Sequence, residues 1–351
     1  MKKVSLDVLD LSKQSTIFIG ENGGGKSTVL RQLLEHFNSQ GRNIIAISNC
    51  LNDKFDVTSK NINYMSAKYG DSLQKSTLSD FLSKIDEDIT RSLSRVLSYC
   101  GYSEVIGFKV SWGVESPLNF DNYVKVLHGA SGRDGLLWIP INSSFPNYRL
   151  SSVVREFFSN ISSLIDDKIV NSVDFFLEKN MQPIDFRQIS SGESSQILTL
   201  AFISANINKK SVILVDEPEN SLHPKWQREY IGTIFNLFYQ YDINLFVSTH
   251  SPLFINEFSD IYEVNNFELF HKSFDGGGIE EILWDLFEIV TPENEFLSRY
   301  LVKILDDYKA GTVEKESTLS KLVYIKEACI DRRQLNVVDD LYHIINNDLL
   351  D

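Results

Sequence analysis

The chain has 351 residues, a formal net charge of −14 and 42% hydrophobic residues. This length allows one large core or two smaller ones, and the hydrophobic content is ordinary for a globular protein. No apolar run approaches the roughly 18 residues that span a bilayer, and the N-terminus lacks a signal-peptide core, so we expect a cytoplasmic protein with no membrane segment. Three scattered cysteines, at positions 50, 100 and 329, fit a reducing compartment and indicate no disulfide framework.

The first predicted elements are a strand, a glycine-rich loop and a helix. Residues 16–19 form a short apolar run typical of a buried strand, and residues 28–36 continue as a helix. The loop has the spacing G-x-x-x-x-G-K-S, in which backbone N–H groups surround phosphates, the lysine adds positive charge and the hydroxyl ligates Mg²⁺. A glycine-rich turn without a ligand is the alternative, which the complete spacing disfavours. The predicted ATP-phosphate site comprises Gly20, Asn22, Gly23, Gly24, Gly25, Lys26, Ser27 and Thr28.

A second core strand is predicted over residues 43–48, and it ends at Asn49. The segment 51–185 that follows separates two halves of the nucleotide-binding pattern. Its predicted elements are a helix over 79–98, strands over 105–112 and 136–141, and one long amphipathic helix over 152–179. Heptad repeats do not persist, so a long coiled coil is not expected.

The stretch S-S-G-E at residues 190–193 opens the second half. Ser190 and Glu193 have the spacing of a capping box, which predicts a helix that starts here. A cap is a sufficient structural explanation by itself. A capped helix N-terminus with small residues is also an anion site, so Ser190, Ser191 and Gly192 are candidate contacts for a γ-phosphate delivered from another subunit.

Two further apolar strands lead to polar side chains. Residues 212–215 end at Asp216 and Glu217, and residues 243–247 precede His250. We expect Asp216 to hold Mg²⁺ through water and Glu217 to orient or deprotonate the attacking water, because phosphoryl transfer needs mainly positioning and charge neutralisation. A neutral His250 could hydrogen-bond the γ-phosphate. The alternatives are a solvated acidic loop and a structural histidine.

The C-terminal region is acidic. After the glycines at 276–278 the sequence predicts several short helices, and residues 266–351 carry nine basic and eighteen acidic side chains. No segment of the chain shows the basic excess that is typical of a general nucleic-acid binder, so binding to nucleic acid is not supported by charge.

The chain contains, in this order, the phosphate loop, S-S-G-E, V-D-E-P-E-N-S-L-H-P and S-T-H-S-P. This series resembles the SMC/RecF/OLD-like branch of the ABC-type ATPases. In particular, it resembles the stand-alone ATPase subunits of anti-phage modules of the Septu and retron-associated type. The resemblance covers about residues 1–50 and 186–265, and more loosely residues 279–291. It implies an α/β fold of the ABC-type P-loop class, with a mixed central sheet flanked by helices, a mainly helical insertion and a helical C-terminal tail. The implied domains are 1–50 with 186–275, 51–185, and 276–351.

The same resemblance implies roles for the site residues. Within one subunit the nucleotide would be handled by Lys26, Ser27, Asp216, Glu217 and His250, with Lys26, Glu217 and His250 as the catalytic set. Ser190, Ser191 and Gly192 would act on ATP held by a partner subunit, and residues 221–223 would cross the interface of a homodimer or a higher even oligomer. ABC-type enzymes carry a glutamine after the strand that follows the first helix. Asn49 occupies that place here and offers a shorter carboxamide as a candidate Mg²⁺ ligand.

The function implied is an ATPase, with ATP and Mg²⁺ as cofactors, that serves as the sensor or regulatory subunit of an anti-phage complex. Six single histidines include no H-N-H cluster, and the residues after His250 hold no D-x-D motif, so a nuclease effector is expected on a separate chain. A RecF-like DNA-repair ATPase that acts on DNA ends or gaps is the main alternative. A transporter ATPase is a third, which the long insertion and the missing glutamine disfavour.

Overall fold

A seven-stranded sheet forms the centre of the protein in a computed structural model. Its strands lie in the order β11 (Glu268–Lys272), β10 (Asp260–Asn265), β1 (Ser15–Ile19), β9 (Asp242–Ser248), β8 (Lys210–Asp216), β2 (Asn43–Ser48) and β3 (Ile62–Ser66). Neighbouring strands are parallel, except for the antiparallel pair β10 and β11. The structure describes residues 3–50, 55, 59–66, 70–85, 87–113, 121–130, 135–141, 148–220, 222–274, 276, 278–289, 295–329 and 332–347. Because β1, β9, β8 and β2 are parallel neighbours, their carboxyl ends meet at one edge of the sheet.

Two helices cover opposite faces of this sheet. One is α1 (Lys26–Ser39), which follows the phosphate loop, and the other is α7 (Ser191–Asn206), which follows S-S-G-E. Alternate residues of a strand point to opposite faces, so each buried strand supplies both layers. Leu214 of β8 lies in the cluster that contains α1, and Val215 lies in the cluster that contains α7. The fold is thus an α/β P-loop fold with a mixed sheet flanked by helices, as predicted.

The segment 51–185 contributes β3 to the central sheet and also forms a second, antiparallel sheet. This sheet has the order β5 (Leu136–Pro140), β4 (Val105–Trp112), β6 (Val170–Lys179) and β7 (Gln182–Asp185). Its helices are α2 (Gly70–Ser83), α3 (Glu87–Tyr99), α4 (Asn122–Ala130), α5 (Tyr148–Ser159) and α6 (Ile161–Asp166). Helices α2 and α3 pack on α7, so the insertion rests on the helix that S-S-G-E opens.

The prediction of one long helix over residues 152–179 is wrong. The helix ends at α6, where Lys168 adopts a left-handed φ of 58°, and the chain continues as β6. Buried Val173, Phe175 and Leu177 alternate with more exposed residues, which is the two-residue period of a strand. Their apolar side chains also fall near helical spacing from the residues before them, which concealed the change of period.

The helix predicted over residues 79–98 is also interrupted. It comprises the end of α2 and most of α3, separated near Ile85. The side chain of Ile85 is buried, and its carbonyl accepts a hydrogen bond from Arg155 of α5 instead of continuing a helical ladder. Tertiary packing therefore ends α2 at a place where the apolar spacing alone suggests continuation.

The described residues of the C-terminal region form four helices, and a helical region was the prediction. They are α9 (Ile279–Phe287), α10 (Glu295–Lys309), α11 (Lys315–Ala328) and α12 (Arg332–Asn346). Trp284 of α9 packs with buried residues of α10, α11 and α12 in a separate small core, whereas Ile282 and Leu286 of α9 join the main core. Within the described residues no helix is both long and apolar enough to cross a bilayer.

Candidate functional site

The phosphate loop joins β1 to α1 and is held from behind by the turn between β10 and β11. Phe267 N donates to the carbonyl of Gly24 at 2.8 Å. A Cβ on Gly24 would lie 2.6 Å from the Val264 carbonyl oxygen, and a Cβ on Gly20 would lie 2.4 Å from the same atom. Gly20 also has a φ of 135°, which favours glycine. The loop can therefore have this shape only with glycine at these two positions.

Lys26 and His250 are in direct contact at the head of α1. Lys26 Nζ donates to His250 Nε2 at 2.7 Å and to the carbonyls of Gly20 and Glu21 at 2.8 and 3.1 Å. An ammonium group can only donate, so Nε2 is the acceptor and the imidazole is neutral. Burial, and then the charge of Lys26, lower the pKa of His250, which keeps the ring neutral near pH 7. Burial also lowers the pKa of Lys26.

Asp216 ends β8 as a buried carboxylate. Its Oδ1 accepts a hydrogen bond from Ser248, and its Oδ2 is buried with no hydrogen-bond partner among the described residues. Burial raises the pKa of Asp216, while the hydroxyls of Ser248 and Ser27 act in the opposite direction.

An unsatisfied buried carboxylate oxygen near the Ser27 hydroxyl fits a hard divalent cation. Within the described residues, no group of three or more His, Cys, Asp or Glu side chains is arranged as a metal site. Mg²⁺ commonly keeps several waters and takes one or two carboxylates plus substrate phosphates. Ser27 and Asp216 therefore suit Mg²⁺ bound together with ATP.

Glu217 has an unusual backbone conformation. Its φ is 51°, in the left-handed region that a residue with a side chain rarely adopts, and such strain concentrates at functional sites. Its amide donates to the Ser248 carbonyl at 2.9 Å. Its carboxylate accepts from Asn220 Nδ2 at 3.2 Å and lies 3.8 Å from His250 Nε2. The turn thus aims Glu217 at the group formed by Lys26 and His250.

Asn49 lies beside the acidic pair. Its backbone amide donates to the Asp216 carbonyl at 3.0 Å, and its own carbonyl accepts from Asn220 at 3.3 Å. The next residue, Cys50, hydrogen-bonds Glu217, and burial raises the pKa of its thiol. The structure thus places Asn49, the predicted substitute for the glutamine, at the edge of the site, where its backbone makes the hydrogen bonds to Asp216 and Asn220.

Ser190 caps α7 as predicted. Its hydroxyl accepts from Glu193 N at 3.3 Å and lies 2.9 Å from Glu193 Oε2. Glu193 also pairs with Lys179 of β6 at 3.5 Å, so this helix start is tied to the second sheet. Ser190 and Ser191 are exposed and belong to the helix on the face opposite α1. The structure therefore does not bring these residues into the group around Lys26, which is compatible with action on another subunit.

The residue that sequence reasoning missed is Glu219. Its Oε1 accepts from the backbone amide of His250 at 2.5 Å, and its Oε2 is buried without a partner among the described residues. It lies two residues after Glu217, within the motif V-D-E-P-E-N-S-L-H-P, and the sequence alone assigns it no role. Ser221 of the predicted interface segment 221–223 lies outside the described residues, while Leu222 is buried and His223 caps α8 (Pro224–Leu237).

Comparison with known families identifies the family of the chain. Residues 73–256 match the family described as AAA domain, putative AbiEii toxin, Type IV TA system. The match covers just over half of the chain. The chain belongs to this family. The matched residues include S-S-G-E, the acidic pair and His250, while the phosphate loop precedes them.

Two curated relatives share part of the sequence. The chain is 26% identical over 185 residues to the Retron Vc95 probable ATPase of Vibrio cholerae serotype O1 biovar El Tor, which covers 48% of this chain and 32% of the relative. It is 28% identical over 154 residues to the Retron Ec83 probable ATPase of Escherichia coli, which covers 39% and 27%. The chain thus spans about a third of the length of the relatives it matches.

Solved structures are similar only loosely. The cbiO1 protein of Clostridium perfringens, part of an ABC transporter complex, is 11% identical with a TM-score of 0.33, over 87% of this chain and 90% of that chain. A dimeric bacterial ABC transporter cassette is 14% identical with a TM-score of 0.31, over 78% and 97%. The fold assignment rests on strand order and on the phosphate loop between β1 and α1.

Proposed function

We propose that the chain binds and hydrolyses ATP with Mg²⁺, closes as a head-to-tail dimer, and serves as the sensor or regulatory subunit of an anti-phage complex with a separate effector. The observation that carries the ATPase assignment is the meeting of Lys26, Asp216, Glu217 and His250 at the ends of β1, β8 and β9. Lys26 contacts His250 directly, and the carboxylate of Glu217 lies 3.8 Å from the same imidazole. Phosphoryl transfer needs such positioned charges and little covalent chemistry.

Each residue has a role that its geometry supports. Backbone N–H groups of the loop and the N-terminus of α1 bind the phosphates, and Lys26 exchanges one of its acceptors for a phosphate oxygen. Glu217 accepts a proton from, or orients, the attacking water. His250, held neutral, donates or accepts one hydrogen bond at the γ-phosphate. Mg²⁺, held by Ser27 and Asp216, would neutralise phosphate charge.

A second subunit supplies what the first does not assemble. Ser190, Ser191 and Gly192 start a helix on the face opposite α1; the two serines are exposed, Gly192 is buried, and a helix N-terminus suits an anion. Reciprocal pairing of this helix start with the partner's phosphate loop gives a two-fold dimer with two shared sites. ATP then joins the subunits, and hydrolysis releases them.

The regulatory part of the proposal rests on similarity and charge. The matched relatives are probable ATPases of retrons, which favours a defence role over DNA repair. The C-terminal nine-charge acidic excess disfavours contact with nucleic-acid phosphates and suits a basic protein surface. A nuclease on a separate chain is the effector we propose, bound more tightly to one nucleotide state than to the other.

Mixing inactive chains tests the shared site. Lys26→Ala should abolish ATP binding, and Ser191→Arg should block the partner's γ-phosphate; each chain alone should be inactive. In an equal mixture with subunit exchange, half of the dimers carry one intact site of two, so about a quarter of the wild-type rate should return. Phosphate release and a subunit-exchange assay measure this.

The control is Ser162→Arg, a charge added at an exposed position of α6. Ser162→Arg alone should hydrolyse ATP normally. No recovery in the Lys26→Ala and Ser191→Arg mixture, despite demonstrated exchange, contradicts the shared site. If the wild type shows no Lys26-dependent hydrolysis, the ATPase assignment itself is wrong. Sub-micromolar binding to duplex DNA at physiological salt would favour the repair alternative.

A further inference from the structure

The carboxylate of Glu219 joins the loops that follow β8 and β9. His250 N donates to Glu219 Oε1 at 2.5 Å, and the Thr249 hydroxyl also hydrogen-bonds this carboxylate. The other oxygen, Oε2, is buried without a partner among the described residues. The charge of Glu219 also contributes, after burial, to the raised pKa of the buried Tyr230. The acceptor for the His250 amide therefore comes from the acidic loop and not from the strand ladder.

Further hydrogen bonds hold the loop that contains His250. Ser251 Oγ donates to Gln227 Oε1 at 2.6 Å, and Gln227 Nε2 donates to the Leu222 carbonyl at 2.9 Å. Ser251 N in turn donates to Thr249 Oγ1 at 2.9 Å. Residues 249–251 are thus tied at both ends to the segment 219–227, which begins two residues after Glu217.

The loss of stability caused by the buried Oε2 of Glu219 suggests a functional role for this carboxylate. A carboxylate with a buried, unpaired oxygen loses the solvation of that oxygen and so costs stability. The charge-assisted hydrogen bond to the main-chain amide is about twice as strong as a neutral one and fixes geometry, but it satisfies only Oε1 and leaves Oε2 unpaired. The atom so fixed belongs to His250, whose side chain contacts Lys26.

We propose that Glu219 is a positioning residue for ATP hydrolysis. Its carboxylate holds the main chain at His250, so that the imidazole stands between Lys26 and Glu217, where it can hydrogen-bond the γ-phosphate. In this proposal Glu219 touches neither phosphate nor the attacking water. It acts through the main chain of His250, and its charge on Lys26 is a separate effect that Glu219→Gln removes. The proposal rests on the ATPase function proposed above.

Three substitutions separate geometry from charge. Glu219→Ala removes the acceptor and should lower kcat by up to about 100-fold, the loss that follows when a group is misplaced by about 1 Å, with ATP affinity within about threefold. Glu219→Gln keeps a carbonyl oxygen at the same reach and should retain most of kcat. Glu219→Asp keeps the charge but withdraws the acceptor, so it should be slower than Glu219→Gln.

A double-mutant cycle with His250→Ala completes the test, since a purely structural role for Glu219 would not depend on the imidazole. Once His250→Ala has removed the imidazole, adding Glu219→Ala should change kcat by less than about twofold. If the two losses multiply, or if Glu219→Asp is faster than Glu219→Gln, the proposal is overturned. Should Glu219→Ala fail to fold, the comparison of the aspartate and glutamine variants still decides. Failure of the wild type to hydrolyse ATP would instead refute the ATPase function.

Discussion

Replacing Glu217 by glutamine is the most direct probe of the proposed chemistry. The change is isosteric, and the neighbours can accommodate it: the carboxamide oxygen can accept from Asn220 Nδ2, now 3.2 Å from Glu217 Oε2, and the new NH₂ can face His250 Nε2, 3.8 Å away. The left-handed φ of 51° at position 217 is a property of the backbone, and glutamine can keep it as glutamate does. Fold and ATP binding should therefore persist, while the carboxylate that lies 3.8 Å from His250 Nε2 loses its proton-accepting power.

The expected loss follows from that role. A positioned general base contributes about 10²- to 10⁴-fold to rate, which corresponds to about 3 to 5 kcal/mol of transition-state stabilisation. Phosphate release at saturating ATP and Mg²⁺ should fall by that factor, with ATP affinity within about threefold of wild type. Glu268→Gln, an exposed change of the same kind on β11, is the control and should have no effect. A Glu217→Gln chain that hydrolyses ATP within threefold of the wild-type rate refutes the assignment of the base.

Two further predictions concern the loop and the partner. Gly24→Ala should weaken ATP binding by about tenfold or more, because its Cβ would lie 2.6 Å from the Val264 carbonyl oxygen. Gly232→Ala in α8 is the control and should not weaken binding, because the space at its Cβ is open. Nucleotide titration and thermal melting distinguish the two variants. In pull-downs from cells that carry the native neighbouring genes, a stoichiometric partner should be retained differently by wild type and Glu217→Gln, and be weakened by neutralising exposed carboxylates of α10 and α11 (Asp306→Asn, Glu316→Gln and Glu327→Gln). A chain that purifies alone in every form contradicts the regulatory role.

The parts of the fold nearest the nucleotide could be predicted from sequence because local signals agree there. The apolar runs that became β1, β8 and β9 are short, continuous and followed by polar residues, as parallel strands buried on both faces should be. The glycine spacing and the lysine located the start of α1 because backbone shape and phosphate chemistry demand the same residues. At these strand ends, each polar residue follows an element that the pattern identifies.

The insertion could not be predicted as well, because its signals conflict. From 152 to 179, side chains near helical spacing continue into β6, and only the alternation at Val173, Phe175 and Leu177 marks the change of period. The break at Ile85 depends on Arg155, seventy residues away in the chain, and no local pattern encodes that contact. Glu219 escaped notice for the same reason, since its partner is the backbone of His250, and a backbone amide leaves no trace in sequence.

Charge balance links these observations to nucleotide binding. The carboxylates of Glu217, Asp216 and Glu219 all act on Lys26, whose own pKa is lowered by burial, and His250 is held neutral. One ammonium beside three carboxylates gives this group an excess of negative charge, before the several negative charges of ATP are added. In the proposed ATP complex, the positive side would come from backbone N–H groups of the loop, from the N-terminus of α1 and from Mg²⁺ at Ser27 and Asp216. Because Lys26 directs its three N–H bonds at Gly20, Glu21 and His250, a phosphate oxygen has to displace one of these acceptors. If the γ-phosphate displaces His250 from Lys26, it frees His250 Nε2 as it binds, so that ATP binding and detection of the γ-phosphate occur in one step.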